Sequence, residues 1–292
     1  MIRNTNDGSG REPYLRLDLN YWNSHDLPKF SIGPNGASHK ERHLAIKQAG
    51  FVGVQDGDPV LCKEQDLRLT GQFRMNKVGE LDDKIKEWTN GPYDCATIHV
   101  GWGMESDEEL DRMIGYVLET SARHDFPIYI ETHRATVTQD MWRTVEIVKR
   151  FPEIRFNGDF SHWYTGLEMV NGDFEEKLDF ITPVLDRVRF IHARIGNPGC
   201  IQIDIGDGKN QPYVEHFKHF WVRSFQGFLK SAEPGDYMCF TPELLPSEYF
   251  YAQLIPNANG NLIEAGDRWQ QALLYCDVAR ECWRVATSGA SS

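Results

Sequence analysis

Four polar residues, each placed where a short apolar run ends, carry the strongest chemical signal in this sequence: Glu131, Asp159, His192 and Glu243. Three carboxylates and one imidazole form a ligand set that suits Mn²⁺, Mg²⁺, Co²⁺ or Zn²⁺. With His192 neutral, three negative charges around a divalent ion leave one net negative charge, which favours a glutamate that also acts as a base. The residue types therefore predict a metal site with proton-transfer chemistry.

Further polar and aromatic residues lie beside these four in the sequence. His133 and Arg134 follow Glu131 in the same polar stretch, so we expect both to face the same pocket. His99 lies near the end of another apolar run, 95–100, where it either contacts a substrate or fills the barrel. Trp102 and Trp163 also follow apolar runs and are candidates to stack on the apolar face of a sugar, with core packing as the alternative.

Eight short apolar runs alternate with helix-like patterns along the chain. They begin at residues 14, 51, 67, 95, 128, 154, 188 and 237. This alternation indicates βα units on a parallel sheet, and eight units in about 250 residues predict a closed (β/α)8 TIM barrel. An open doubly wound sheet is the alternative, but no Gly-rich phosphate loop follows the first run. Residues 1–12 are polar and predict a flexible N-terminal tail, and residues 13–292 predict a single barrel domain.

A barrel brings the four candidate ligands together. The carboxyl ends of its parallel strands lie on one face, where active sites of such barrels are found. Glu131, Asp159, His192 and Glu243 are 28 (159−131), 33 (192−159) and 51 (243−192) residues apart. Each gap accommodates one βα unit, the last with a longer loop. We therefore expect all four side chains to meet around one ion.

The composition restricts the class of partner. The chain has 292 residues, with 31 basic and 43 acidic side chains and a formal charge of −12. A surface of this charge repels phosphate backbones, which argues against nucleic acid. No apolar run approaches the length of a membrane span, and the polar start carries no secretory signal. Six cysteines without a CxxC pair fit a reducing compartment, so cytoplasm is the expected location.

The ordered set Glu131, Asp159-x-x-His162, His192-x-Arg194 and Glu243 resembles the xylose isomerase-like TIM barrel superfamily over nearly the whole chain. That superfamily includes sugar isomerases and epimerases, inosose dehydratases and isomerases, and AP endonuclease family 2. The resemblance implies that the four ligands hold one metal ion, with Mn²⁺ preferred over Mg²⁺, Co²⁺ or Zn²⁺. It implies as well that the two glutamates exchange protons with the substrate. It also implies that His162 and Arg194 contact substrate oxygens.

The sequence departs from the superfamily pattern at two places. Arg194 lies two residues after His192, whereas the sugar 3-epimerases place this arginine further on. Position 133 is His, whereas the aldose isomerases have Lys two residues after the first glutamate, which argues against a hydride-shift isomerase. The endonuclease branch needs more histidines than this chain offers, although His99 matches one of those positions.

The resemblance and the residues together predict a metal-dependent isomerase or epimerase that acts on a sugar, cyclitol or keto-sugar through a metal-stabilised enediolate. The first alternative is a lyase or dehydratase that uses the same site on a keto-sugar or inosose. A sugar-binding barrel without turnover and an AP endonuclease are weaker alternatives. The loops over 23–36, 56–67 and 196–211 are expected to select the carbohydrate substrate, and self-association into a homo-oligomer stays open.

Overall fold

The computed structural model describes residues 2–209 and 211–288. Met1, Asn210 and residues 289–292, which fall in the predicted tail, a predicted substrate loop and the end of the predicted barrel domain, lie outside the described residues. The strands, in chain order, are β1 (Thr5–Asn6), β2 (Tyr14–Asn20), β3 (Gly53–Gln55), β4 (Arg68–Met75), β5 (Tyr93–Val100), β6 (Ile128–Glu131), β7 (Phe156–Asn157), β8 (Val188–Ala193), β9 (Asp236–Pro242), β10 (Leu254–Pro256) and β11 (Leu262–Glu264).

Helices follow most of these strands. Short 3-10 helices cover Tyr21–Ser24 and Ser247–Tyr249. The α-helices are α1 (His39–Gln48), α2 (Pro59–Glu64), α3 (Leu81–Asn90), α4 (Asp107–His124), α5 (Met141–Arg150), α6 (Ser161–Gly166), α7 (Phe174–Phe180), α8 (Thr182–Leu185), α9 (Pro212–Leu229) and α10 (Arg268–Ser288).

The strands β2 to β9 form a closed parallel barrel. Each pairs in parallel with the next, and β9 pairs with both β8 and β2, which closes the ring. In the closing register Leu17 lies opposite Phe240, and His192 lies opposite Thr241. The helices pack outside the ring; Trp221 of α9, for example, meets Phe240 of β9 edge-on, with ring centroids 4.9 Å apart. The predicted single-domain (β/α)8 barrel is confirmed.

Helix starts are fixed by local capping signals in the sequence. Ser38 and Glu41 form a reciprocal capping box at α1, and Ser106 and Glu109 form another at α4. Each box satisfies backbone N–H groups that have no partner within the helix. Asp58 caps α2 in the same way, because its carboxylate accepts from two backbone N–H groups of that helix.

A buried ion-pair cluster fills the N-terminal half of the barrel. Arg16 of β2 donates to Asp18 Oδ2 and to Asp94 Oδ2, both at 2.6 Å. Its side chain is 2% exposed, and its guanidinium lies 4.4 Å from the centre of the Tyr237 ring. The opposing charges allow burial of groups that would be costly alone.

The N-terminal segment, predicted as a tail, contains the short strand β1. β1 pairs antiparallel with the start of β9, with Thr5 opposite Tyr237. Ile2 and Thr5 are buried, and the Tyr129 hydroxyl donates to the Arg3 carbonyl. The segment therefore covers the N-terminal end of the barrel, an arrangement that its polar composition does not indicate.

The other differences lie in the loops. The short helix α2 lies in the predicted loop over 56–67, and the helix α6 and the antiparallel pair of β10 and β11 lie in stretches where the sequence indicated no element. Within the described part of the chain, no helix is both long enough and apolar enough to cross a membrane.

Candidate active site

The structure brings the four candidate metal ligands together at the carboxyl ends of the barrel strands. Glu131 is the last residue of β6, Asp159 follows β7, His192 lies in β8 and Glu243 follows β9. All four side chains are buried. One potential ligand atom from each lies within 4.8 Å of those of the other three. We call these four residues the ligand cluster.

Hydrogen bonds fix the tautomer of His192, starting from a backbone group whose role is certain. The Trp22 N–H donates to Asn20 Oδ1 at 3.0 Å, so the Asn20 amide nitrogen points the other way and donates to Gln55 Oε1, also at 3.0 Å. Gln55 therefore presents its oxygen to His192 Nε2, 2.7 Å away. Nε2 carries the proton, and Nδ1 carries the free lone pair of the neutral ring.

The free Nδ1 of His192 points at carboxylates. It lies 3.0 Å from Glu131 Oε2 and 3.4 Å from Glu243 Oε2, and it has no hydrogen-bond partner among the described residues. Burial lowers the pKa of His192, but the charges of Glu243 and Glu131 outweigh burial and raise it to about 9. Either a second proton or a cation must therefore sit between Nδ1 and these oxygens. A neutral histidine whose second N–H is held by an acceptor is the usual form of a metal ligand.

The three carboxylates are held in place by neutral donors. Asn157 accepts at Oδ1 from the backbone N–H of His192, and it donates from Nδ2 to Glu131 Oε2, 3.1 Å away. Asn20 donates to Glu243 Oε1 at 3.1 Å. The backbone N–H and the hydroxyl of Ser161 both donate to Asp159 Oδ1.

The charge environment keeps two of these carboxylates ionised. Burial raises the pKa of Glu131, but His99 and His192 outweigh burial and hold it well below its ordinary value. Burial also raises the pKa of Asp159, but the charge of Arg194 outweighs burial and holds this pKa below its ordinary value. The donor set thus offers ionised oxygens and one imidazole nitrogen, which fits a divalent cation.

Arg194 belongs to the interior of the site. Its Nη1 donates to Asp159 Oδ2 at 2.7 Å and its Nη2 to Glu243 Oε2 at 2.6 Å, while Nε donates to the Glu243 carbonyl. The side chain is 1% exposed. The Arg194 charge changes the net charge expected for the site. Three carboxylates and a divalent ion alone give −1, whereas with Arg194 the net charge is zero.

Three histidines form a row beside the ligand cluster. Ring centroids are 4.3 Å apart for His99 and His133 and 3.8 Å apart for His133 and His162. Ligand atoms of His99, Glu131 and His133 also lie within 4.8 Å of one another, which makes this trio a second candidate for an ion.

Hydrogen bonds argue against an ion in this second trio. The Ala135 N–H donates to His133 Nδ1 at 3.0 Å, and Arg74 donates to His99 Nδ1 at 3.2 Å. Both donors are unambiguous, so each ring accepts at Nδ1 and, when neutral, carries its proton on Nε2. Neither ring then has a free lone pair for a metal. His99 instead directs Nε2–H at Glu131 Oε1, 3.0 Å away.

His133 stays neutral in this row. Burial, followed by the neighbouring His162 and His99 rings, lowers the pKa of His133 to about 2. Its Nε2–H has no partner among the described residues. His162 is also buried, with Nε2 at 3.5 Å from Asp159 Oδ2 and with Nδ1 unpaired within the described chain.

The predicted aromatic contacts divide into two groups. Trp163, expected to stack on a sugar, is fully buried and donates its indole N–H to the Thr138 carbonyl at 2.8 Å. Its position in α6 turns it into the core, so this expectation is corrected. Trp102 is 49% exposed, and the Arg74 guanidinium lies 4.3 Å from the centre of its ring.

Tyr251, which the sequence did not single out, covers the ligand cluster. The Arg194 guanidinium lies 4.6 Å from the centre of its ring, and the His162 ring meets it edge-on. The preceding residue, Phe250, has a left-handed backbone with φ +61° and is 92% exposed. This turn lets one aromatic residue point to solvent while the next points inward.

A cavity of about 510 Å³ lies on the outer side of Tyr251. Exposed Arg134 lines it, as does Cys200, and the Arg134 guanidinium lies 5.5 Å from the centre of the Tyr251 ring. Tyr251 therefore lines the cavity and also contacts Arg194 beside the ligand cluster.

Sequence reasoning missed three amides that orient the site: Asn20, Gln55 and Asn157. All three end a strand and are buried, and two of them, Asn20 and Gln55, end the neighbouring strands β2 and β3. A polar, uncharged residue at the carboxyl end of a buried strand was the available signal.

Comparisons with known proteins show the fold. No family model matches the chain, and no curated protein matches it significantly. The chain is similar to the crystal structure of a D-tagatose 3-epimerase-like protein, with a TM-score of 0.54 and 10% identity over 94% of this chain and 100% of the other. A xylose isomerase-like TIM barrel protein from Mycobacterium smegmatis, in complex with magnesium, gives 0.54 and 9% over 93% and 97%.

A third similar structure is the probable 3-DHS dehydratase AsbF from Bacillus anthracis, with a TM-score of 0.50 and 12% identity over 80% of this chain and 94% of the other. At these identities the likeness concerns the fold and leaves the reaction open. The superfamily resemblance in the sequence and the course of the barrel agree, and the chain has the fold of the xylose isomerase-like TIM barrel proteins.

Proposed function

We propose that this chain is a divalent-metal-dependent isomerase or epimerase that acts on a sugar, cyclitol or keto-sugar by proton transfer. Glu131, Asp159, His192 and Glu243 would hold one ion, with Mn²⁺ preferred over Mg²⁺, Co²⁺ or Zn²⁺. The fold supports the proposal, because sugar epimerase-like and isomerase-like proteins share it.

The observation that carries the proposal is the unpaired Nδ1 of His192 among carboxylate oxygens. Gln55 holds the opposite nitrogen as a donor, so the lone pair faces the oxygens of Glu131 and Glu243. In water-free surroundings this arrangement is unfavourable unless a positive charge joins the group. The imidazole nitrogen and the carboxylate oxygens would together hold a divalent ion.

When bound, such an ion supplies a Lewis acid that acidifies the carbon next to a substrate carbonyl. The protein's own contribution is to place two carboxylates near that carbon. Glu131 and Glu243 lie on β6 and after β9, three strands apart in the ring, and both flank His192. One can remove a proton and the other can return one, at the opposite face of the carbon for epimerisation.

Neighbouring side chains supply hydrogen bonds for substrate oxygens. His133 is neutral with a free Nε2–H, and His162 has an unpaired Nδ1. We assign both to substrate binding, together with His99 at the edge of the site. Exposed Trp102 offers an apolar face to the same end of the barrel. Arg134 is placed in the outer cavity, where an incoming carbohydrate would pass it.

The second candidate is a lyase or dehydratase on the same residues. Removal of a proton next to a carbonyl leads to elimination when a leaving group sits on the following carbon. The probable dehydratase AsbF has a similar barrel, which favours keeping this alternative. The product distinguishes the two reactions, because elimination gives an unsaturated compound and epimerisation does not.

The proposal is tested by a panel of ketoses, 3-keto-sugars and inososes with Mn²⁺-loaded protein in D₂O. We expect one deuterium at the carbon next to the carbonyl of the product. Glu131→Gln and Glu243→Gln should each lower turnover by roughly 10²–10⁴-fold, the usual contribution of a general acid or base. Glu264→Gln is the control, because this buried carboxylate pairs with Arg268 outside the ligand cluster.

Two outcomes contradict the proposal. Complete retention of a substrate deuterium label in H₂O would indicate hydride transfer instead of proton transfer. Near-normal turnover of both glutamine variants, with metal bound, would show that the two glutamates only shape the site.

A further inference from the structure

Arg194 and a divalent ion make competing demands on the ligand cluster. The guanidinium donates to Asp159 Oδ2 and Glu243 Oε2, one oxygen from each of two carboxylates in the cluster. The other oxygens of these carboxylates also accept hydrogen bonds, Asp159 Oδ1 from Ser161 and Glu243 Oε1 from Asn20. Glu243 Oε2, which Arg194 holds, is the Glu243 oxygen that lies 3.4 Å from His192 Nδ1. An ion next to His192 Nδ1 would therefore compete with the Arg194 guanidinium for this oxygen.

The position of Arg194 follows from the strand that carries it. His192 lies within β8, and Arg194 is the first residue after that strand, two positions beyond His192. Residues two apart along a strand point to the same side, so both side chains lie on the same side of the barrel wall. The Nε bond to the Glu243 carbonyl and the Tyr251 ring above the guanidinium hold the side chain down in the cluster. Asp159 and Glu243 thus receive a cation supplied by the chain itself.

We propose that Arg194 is an internal competitor of the divalent ion, and that ion binding releases its guanidinium from Asp159 and Glu243. This inference rests on the proposed metal site and adds to it a residue that sets the affinity of the site. In the metal-free protein Arg194 neutralises part of the negative charge of the cluster. The released guanidinium would stay next to Tyr251, which lines the outer cavity.

The test compares ion affinity in variants that change this cation. Mn²⁺ and Zn²⁺ binding is measured by competition with a fluorescent chelator, for wild type, Arg194→Met and Arg194→Lys. We expect the methionine variant to bind roughly 10- to 100-fold more tightly than wild type, because the ion no longer displaces two charged hydrogen bonds. The lysine variant, whose ammonium cannot bridge both carboxylates in the same planar manner, should lie between them.

Arg16→Met is the matched control. Arg16 is also buried and also bridges two carboxylates, but it lies in the N-terminal half of the barrel, away from the ligand cluster. Its replacement should leave ion affinity within about twofold of wild type, since the charges are distant and independent. A general effect of losing a buried arginine would appear equally in both variants.

A second readout uses thermal stability instead of direct ion titration. Thermal unfolding of the metal-free and Mn²⁺-loaded proteins gives the stabilisation by the ion. We expect a lower Tm for metal-free Arg194→Met than for wild type, and a larger rise in Tm on adding Mn²⁺. In Arg194→Ala, millimolar methylguanidinium should weaken Mn²⁺ binding, because it restores the competitor in the vacated space.

The outcomes separate the inference from the proposed function. Unchanged or weaker ion binding in Arg194→Met, with ion binding intact in wild type, overturns the competition and leaves the metal site standing. Binding by neither protein overturns both. Binding by the methionine variant alone supports the competition in its strongest form.

Discussion

Replacing Gln55 by leucine should weaken divalent-ion binding although Gln55 itself does not ligate the ion. Its Oε1 accepts the His192 Nε2–H at 2.7 Å, and this bond leaves Nδ1 as the lone pair that faces the carboxylates. Leucine offers no acceptor, so the tautomer with its proton on Nδ1 is no longer excluded. The Nε2–H is also left buried and without a partner.

The magnitude follows from what such outer contacts contribute in metal sites. Loss of the partner that orients a ligating histidine lowers metal affinity by roughly 10- to 100-fold. At about 1.4 kcal/mol per factor of ten, this corresponds to about 1.4–2.8 kcal/mol. Gln55→Glu keeps an acceptor in the same place and should retain most of the affinity.

The assay is Mn²⁺ or Zn²⁺ titration against a fluorescent chelator, with circular dichroism to verify the fold of each variant. Gln72→Leu is the control, because Gln72 also accepts from Asn20, at 3.3 Å, but within the described residues it has no hydrogen bond to His192. A folded Gln55→Leu variant with wild-type ion affinity would refute the tautomer argument. An equal loss in Gln72→Leu would show that the amide network acts without specificity.

Two further predictions concern protonation and thiol chemistry. Burial and the neighbouring histidines lower the pKa of His133 to about 2, so the unfolded chain binds a proton below its ordinary pKa of 6.5 that the folded protein does not. The free energy of unfolding should therefore fall as the pH drops from 6.5 towards 2, by about 2 kcal/mol at pH 5. The measurement is denaturant unfolding of metal-free wild type and His133→Asn at pH 7.5 and pH 5. The free energy of unfolding should fall less in the variant than in wild type. Burial raises the pKa of three thiols, those of Cys62, Cys276 and Cys282, to about 12. Cys200, in contrast, is partly exposed beside the outer cavity. A thiol reagent at pH 8 should therefore modify one cysteine per chain in wild type and none in Cys200→Ser.

The barrel and the ligand cluster were predictable because both follow from local order in the sequence. Short buried strands that end in carboxylates or histidine recur at intervals that each fit one βα unit, and parallel strands bring their carboxyl ends together. The burial of Trp163 was not predictable in this way. Its place after a strand end indicates the correct end of the barrel, but α6, a helix of only six residues, decides which way the side chain points.

The orienting residues were harder to predict for a different reason. Gln55 and Asn20 are neutral, so no charge count or ligand spacing distinguishes them from ordinary strand residues. Tyr251 lies between a 3-10 helix and a hairpin, in a loop whose course depends on contacts with distant parts of the chain. Arg194 departs from the spacing of the superfamily pattern, and the period of two residues along a strand accounts for its place beside His192.

Histidine and glutamate meet twice in this site, and in each place fixed donors or acceptors decide what the histidine can do. For His192, an oxygen at Nε2 turns the lone pair of Nδ1 towards Glu131 and Glu243. For His99, the Arg74 cation at Nδ1 turns an N–H towards Glu131. One glutamate therefore faces a lone pair on one side, which calls for a cation, and an N–H on the other, 3.0 Å from its Oε1. For the proposed metal site this asymmetry favours one ion over two, and that ion would lie on the His192 side of Glu131, where Arg194 holds the neighbouring carboxylates.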